Sequence, residues 1–120
     1  MDNKEFSKLL EERTKAFAIR IIKLSATLPA TTESKVIRNQ ITKSGTSIGA
    51  NYREANRARS KADFANKIKI CESETSETKY WLELLENLDW MDTKKLQEII
   101  VETKEILAIF TSIGNKLKSN

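Results

Sequence analysis

An all-α fold, an up-down-up-down antiparallel four-helix bundle, is what this sequence predicts, on three observations. Its 120 residues include only three glycines and one proline, so the chain has few turns and therefore few but long elements. Apolar residues recur in four separate stretches at the three- and four-residue spacing of one helix face. The gaps between stretches are short, so consecutive helices lie antiparallel and residues 1–120 make one domain. A pair of long hairpins swapped between two chains is the alternative topology.

The first helix is expected over residues 3–27, where Phe6, Leu10, Phe17, Ile21 and Leu24 form the apolar stripe and Leu9, Ala18 and Ile22 widen it. It stops at Leu28-Pro29, because proline cannot donate a backbone hydrogen bond and disfavours helix in the residue before it. Thr31 and Thr32 are caps for a second helix over 32–58, in which Ile37, Ile41, Ser44, Ile48, Asn51 and Ala55 alternate at four and three residues. Ser60-Lys61-Ala62-Asp63 resembles a capping box and opens a third helix over 61–89. Its seam is Phe64, Ile68, Cys71, Thr75, Thr78, Leu82 and Leu85. Asp92 and Thr93 cap a fourth helix over 93–117, whose buried side is marked by Leu96, Ile99, Ile100, Ile106, Leu107, Phe110, Ile113 and Leu117.

Some function classes are disfavoured at once. The chain has no histidine, the commonest general base and metal ligand, which removes the Glu-x-x-His pairs of di-iron bundles and His-based zinc sites. Its one cysteine, Cys71, cannot form an intramolecular disulfide and sits in a heptad core position, so it reads as packing rather than as a nucleophile. A glycine-rich phosphate loop is also missing. The expectation is a non-catalytic protein with no cofactor and no metal; the carboxylates of Glu54, Glu74 and Glu77 are a weak alternative as metal ligands. The charged N-terminus lacks a signal-peptide apolar run and no stretch is long enough to span a bilayer, so a cytoplasmic location without membrane attachment is expected.

The net charge of +4 is unevenly distributed. Residues 51–70 carry six basic and two acidic groups, whereas residues 71–92 carry one basic and seven acidic groups. Arg53, Arg57, Arg59, Lys61, Lys67 and Lys69 cluster around the turn between the second and third helices, as candidate contacts to RNA or DNA phosphates. A solvated, highly charged turn is the alternative. No base-reading motif accompanies the cluster, so such binding would have little sequence preference. Tyr80, Trp81, Leu84, Leu88, Trp90 and Met91 lie outside the third helix's heptad seam and form a candidate interface for a homo-oligomer. The alternative is that the tryptophans close the ends of the monomer core. A protein-interaction scaffold without nucleic-acid binding is the second functional class.

The second helix also carries a polar line, Gln40, Ser44, Ser47, Asn51 and Glu54, beside its isoleucines. Buried polar groups need partners, so a hydrogen-bonded network with the third helix is expected, centred on Ser47, Asn51, Glu54 and Glu77. Gly45 and Gly49, four apart on an adjacent line, would let another helix approach closely.

The segments KSGTSIGANYREA (43–55) and ICESETSETKYWLELL (70–85) resemble the four-helix-bundle proteins encoded in intervening sequences of bacterial 23S ribosomal RNA. Ser47, Ile48, Asn51 and Glu54 match the family's second helix, Glu77 with Trp81-Leu82 match its third, and Gln40 fits as well. Family members often have glycine directly after the second-helix glutamate, where this chain has Ala55. The resemblance extends over nearly the whole chain. It implies a four-helix bundle assembled into a ring, a pentamer, whose biochemical role is not established. It also implies a relation to the accessory variability determinant proteins of diversity-generating retroelements, and so a nucleic-acid- or ribonucleoprotein-associated accessory role with a reverse-transcriptase-like partner.

Overall fold

Four side chains start the four helices. In the computed structural model, which describes residues 1–119, the carboxylate of Asp2 accepts the Glu5 N–H and the hydroxyl of Thr31 accepts the Ser34 N–H. The hydroxyl of Ser60 accepts the Asp63 N–H, and the carboxylate of Asp92 accepts the Lys94 N–H. Each satisfies a backbone donor that the first helical turn leaves unpaired. The elements that follow are α1 (Asn3–Ala26), α2 (Thr32–Ala55), α3 (Lys61–Glu86) and α4 (Thr93–Lys118).

Two helices end earlier than their apolar periodicity suggests. After Ala55 the Arg57 and Ala58 N–H groups bond to the carbonyls of Glu54 and Ala55, three residues back, so residues 56–58 close a tight turn instead of extending α2. After Glu86 the Asn87 and Leu88 N–H groups do the same with Leu84 and Leu85, and Asp89 then takes the left-handed conformation (φ 53°). That reversal folds Trp90 and Met91 back onto the core.

Cross-helix pairs fix the register. Thr42 of α2 bonds Ser25 of α1, and Asn56 bonds Glu11. Thr78 of α3 bonds Ser44 of α2, and Lys67 bonds Glu54. Thr111 of α4 bonds Glu72 of α3, and Gln97 bonds Glu86. In every set the number rises on one helix as it falls on the other, so all neighbours are antiparallel and one chain closes its own bundle. The long dimension is 46 Å and the two short ones 26 and 22 Å. Among the described residues no helix is long and apolar enough to cross a membrane.

The core is the set of inward lines. Leu10, Thr14, Phe17, Ile21 and Leu24 of α1 meet Ile37, Ile41, Ile48 and Tyr52 of α2. Ile68, Cys71, Leu82 and Leu85 of α3 and Leu96, Ile99, Ile106 and Phe110 of α4 complete it. Tyr52 and Phe110 pack edge to face, with ring centres 5.6 Å apart. Three buried threonines, Thr14, Thr75 and Thr103, donate to the carbonyls four residues back, at Leu10, Cys71 and Ile99. Their hydroxyls are thereby satisfied and their methyl groups pack as apolar residues would.

The α1 stripe is narrower than its apolar content suggests: Phe6, Leu9 and Ile22 are exposed. The seams on the two sides of α1 differ. Toward α2, Gly45 packs against Ile21 and Gly49 against Thr14, so closely that a β-carbon on Gly45 would lie 2.8 Å from Ile21 Cγ2. Toward α4 the backbones stand farther apart than at any other seam between neighbours. There Arg13 reaches across with two hydrogen bonds to Glu102, at 2.8 and 2.7 Å, and one to Glu105 at 2.9 Å.

Candidate nucleic-acid interface and its surroundings

The α2–α3 turn puts Arg53, Arg57, Arg59, Lys61, Lys67 and Lys69 at one end of the bundle. Two of the six are engaged: Arg53 approaches Glu11 at 3.8 Å and Lys67 donates to Glu54 at 3.1 Å. Arg57, Arg59, Lys61 and Lys69 are exposed and form no ion pair among the described residues. Arg59 and Lys61 line one shallow cleft with Phe64 and Leu117. Lys69 lines a second, of about 220 Å³, together with Lys118 from the last turn of α4. Lys118 is the residue that reading along the chain missed. It lies 49 positions from Lys69, and only the antiparallel topology brings the two together.

The polar stripe of α2 bonds differently from the network expected of it. Ser47 donates to the Lys43 carbonyl and Asn51 to the Ser47 carbonyl, so both are satisfied within their own helix. Glu54 takes Lys67, and Glu77 accepts the Trp81 indole N–H, four residues along the same helix, at 3.3 Å. Gln40 is half-buried. Only Ser44 makes the buried side-chain link to α3, accepting from Thr78 at 2.8 Å. The reason is direction: Ser44 lies on the buried face of α2, whereas Ser47, Asn51 and Glu54 lie on its flank, where a carbonyl of the preceding turn is the nearest acceptor.

The aromatic region divides in two. Trp81, Trp90 and Met91 are half-buried against the core, Leu84 is half-buried, and Tyr80 and Leu88 are exposed. Tyr80 lies edge to face with Trp81 at 5.1 Å. Cys71 is fully buried, and burial pushes its thiol up to about 12; it therefore stays protonated near neutral pH, donating to the Ile48 carbonyl at 3.6 Å. Among the described residues no group of three Cys, Asp or Glu side chains is placed to hold a metal ion.

No curated protein matches the chain. A solved structure from Bacteroides thetaiotaomicron, described as a protein of unknown function from the S23 ribosomal protein family, is similar, with a TM-score of 0.80 and 40% identity. The match covers 87% of this chain and 96% of that one. The pattern of the 23S rRNA-intervening sequence proteins matches residues 9–112, which takes in all the helical seams described above. The chain belongs to the 23S rRNA-intervening sequence protein family.

Proposed function

We propose that this protein is a non-catalytic, self-associating accessory protein of the cytoplasm that contacts RNA or DNA through the basic end of its bundle. The observation that carries the reading is the set of four exposed cations, Arg57, Arg59, Lys61 and Lys69, that have no carboxylate partner among the described residues, with Lys118 beside them. Cations left unpaired at a surface are available to replace the counterions of a phosphate backbone. The turn presents no base-reading helix or strand, so the contact is to backbone rather than to sequence. In an assembly such as the pentameric ring that the family resemblance implies, the cluster recurs on each subunit, and weak contacts add through effective concentration.

A salt series tests this. Fluorescence anisotropy with single-stranded RNA, and separately with duplex DNA, should show affinity falling linearly on a log–log plot against salt. The slope should be about −0.7 to −0.9 per phosphate contact. The variant R57E/R59E/K61E should weaken binding at least about tenfold at low salt and flatten that slope. No binding, or binding indifferent to salt, overturns the nucleic-acid reading. The exposed Tyr80 and Leu88 favour a second reading, a protein-docking scaffold, which would leave both nucleic acids unbound.

A further inference from the structure

We propose that a cavity between α1 and α4, at the basic end of the bundle, takes an unpaired nucleobase of a single strand, with the adjoining phosphates on Arg59 and Lys61. The proposal rests on the nucleic-acid reading above and deepens it, because it names the form of nucleic acid that this end of the molecule prefers.

The cavity sits where the wide α1–α4 seam runs out beside the α2–α3 turn. Its volume is about 700 Å³, and each helix supplies part of its wall: Phe6 of α1, Tyr52 of α2, Phe64 of α3, and Ile109 and Ile113 of α4. Small-molecule sites span roughly 300–1,000 Å³, so there is room for a base. Three of these five side chains are aromatic. Phe6 is exposed and Phe64 half-buried, so both keep apolar surface open to an occupant.

Tyr52 indicates the chemistry of that occupant. The residue is only 2% exposed, with its ring held edge to face against Phe110. Its hydroxyl forms no hydrogen bond among the described residues, yet it is not sealed. The sealed polar atoms that lack a partner are Ser34 Oγ and Arg38 Nε, at the other end of α2. The hydroxyl is therefore open to the cavity that Tyr52 lines. A hydroxyl this deep in apolar surroundings gains by pairing. Asn56 and Ser112, both exposed, add an amide and a second hydroxyl to the lining. Apolar faces to stack on, with polar groups to pair with an edge, suit a flat heteroaromatic ring. An aliphatic chain would leave the Tyr52 hydroxyl unpaired.

The charge around the cavity suits the phosphates. Asn56, Phe64 and Leu117 line both the cavity and the shallow cleft that holds Arg59 and Lys61, so the two hollows share a wall. Lys116 lines the cavity from α4. The one carboxylate in the lining, Asp2, is engaged as the cap of α1, accepting the Glu5 N–H. A base in the cavity thus has its own backbone beside cations that form no ion pair. In a duplex each base is stacked and paired, so only an unpaired base enters. Stacking uses the π-face common to all bases, which agrees with a chain that has no base-reading motif.

Fluorescence anisotropy with a single-stranded RNA, and with an abasic oligomer of the same length and charge, tests this. Wild type should bind the base-bearing strand about tenfold more tightly. Ser112→Trp, at an exposed position, fills the cavity from its wall and should bring the two affinities together, with circular dichroism to show that it is folded. Tyr52→Phe keeps the ring and loses the hydroxyl; it should weaken only the base-bearing strand, by about threefold. R57E/R59E/K61E should weaken both oligomers and keep their ratio. A second arm follows amide NMR shifts with free adenosine monophosphate and with ribose 5-phosphate, which lacks the base. The nucleotide should move the resonances of Tyr52, Ile109 and Ile113, and the sugar phosphate should not. Equal affinities for the two oligomers, with a nucleotide that moves no cavity resonance, overturn the cavity site and leave the backbone contact standing. No response to either oligomer or to the nucleotide overturns both. A nucleotide held in the cavity of a protein that binds no oligomer overturns the single-strand source and the nucleic-acid reading with it. A Ser112→Trp chain that keeps the wild-type preference overturns the cavity as the place where the base sits. Cavity shifts with decanoate and none with the nucleotide would assign the site to aliphatic chains and overturn the proposal likewise.

Discussion

On its α2 flank α1 packs Ile21 and Thr14 against Gly45 and Gly49, whereas on its α4 flank Arg13 spans the gap to Glu102 and Glu105. The first seam is close because two residues lack a side chain; the second is wide and bridged by a long one. Steric contact at the glycines is short-ranged and indifferent to pH and salt. The arginine bridge responds to both, since charge is screened and carboxylates titrate. One helix is thus located by shape on one side and by electrostatics on the other.

The largest expected effect breaks the close seam. Gly45→Val puts carbon where Ile21 Cγ2 and Cγ1 already lie within 2.9 Å of an added Cβ, and a β-branched isoleucine has little rotamer freedom to yield. It should cost about 3 kcal/mol in urea unfolding. Adding Ile21→Ala should recover part of that loss, a coupling that a double-mutant cycle measures directly.

Breaking the wide seam should cost less and should depend on pH. Arg13 holds the Glu102 carboxyl below its ordinary 4.5, while burial opposes the shift. A group whose folded value is lowered contributes stability above its unfolded value and loses it as pH falls through the folded one. Glu102→Gln should therefore cost about 1 kcal/mol at neutral pH, since Arg13 is partly exposed. The difference from wild type should vanish on titration below the ordinary value of 4.5. A difference that persists in acid would mean that Glu102 acts through packing.

The smallest effects use the other glycines as controls. A β-carbon on Gly114 of α4 meets nothing within 4 Å, so Gly114→Ala should stabilise by about 0.5–1 kcal/mol from helix propensity alone. The same change at Gly49 would meet Thr14 Oγ1 at 3.0 Å, and the propensity gain should be largely offset there. Equal gains at both positions in thermal melts would show that the α1–α2 seam is looser than described.

The core was legible in the sequence because a heptad line is a local pattern: Ile37, Ile41, Ser44 and Ile48 are inward-facing whatever the partner helix is. Helix ends were legible to within three residues, since a turn closed by bonds to the third residue back has the same composition as one more turn of helix. The polar stripe was legible as residues but not as bonds. A serine or asparagine can satisfy itself on its own helix or across to the next: Ser44 and Asn51 share one heptad line, yet Ser44 pairs with α3 and Asn51 bonds the Ser47 carbonyl. Lys118 meets Lys69 only through the antiparallel topology, and the exposure of Leu9 depends on how far α4 stands from α1, neither of which a pattern along the chain encodes.

The order of packing has a kinetic consequence. Each closely packed seam joins helices that are consecutive in the chain, through turns of only a few residues, so the loops that folding must close are short. Such a topology reaches its native state fast, in the microsecond-to-millisecond range of helical bundles. The α1–α4 seam alone closes the full length of the polypeptide, and its bridge is the contact that costs most chain entropy to form. Stopped-flow measurements on Arg13→Ala should find folding unslowed and unfolding faster, the signature of an interaction made after the barrier.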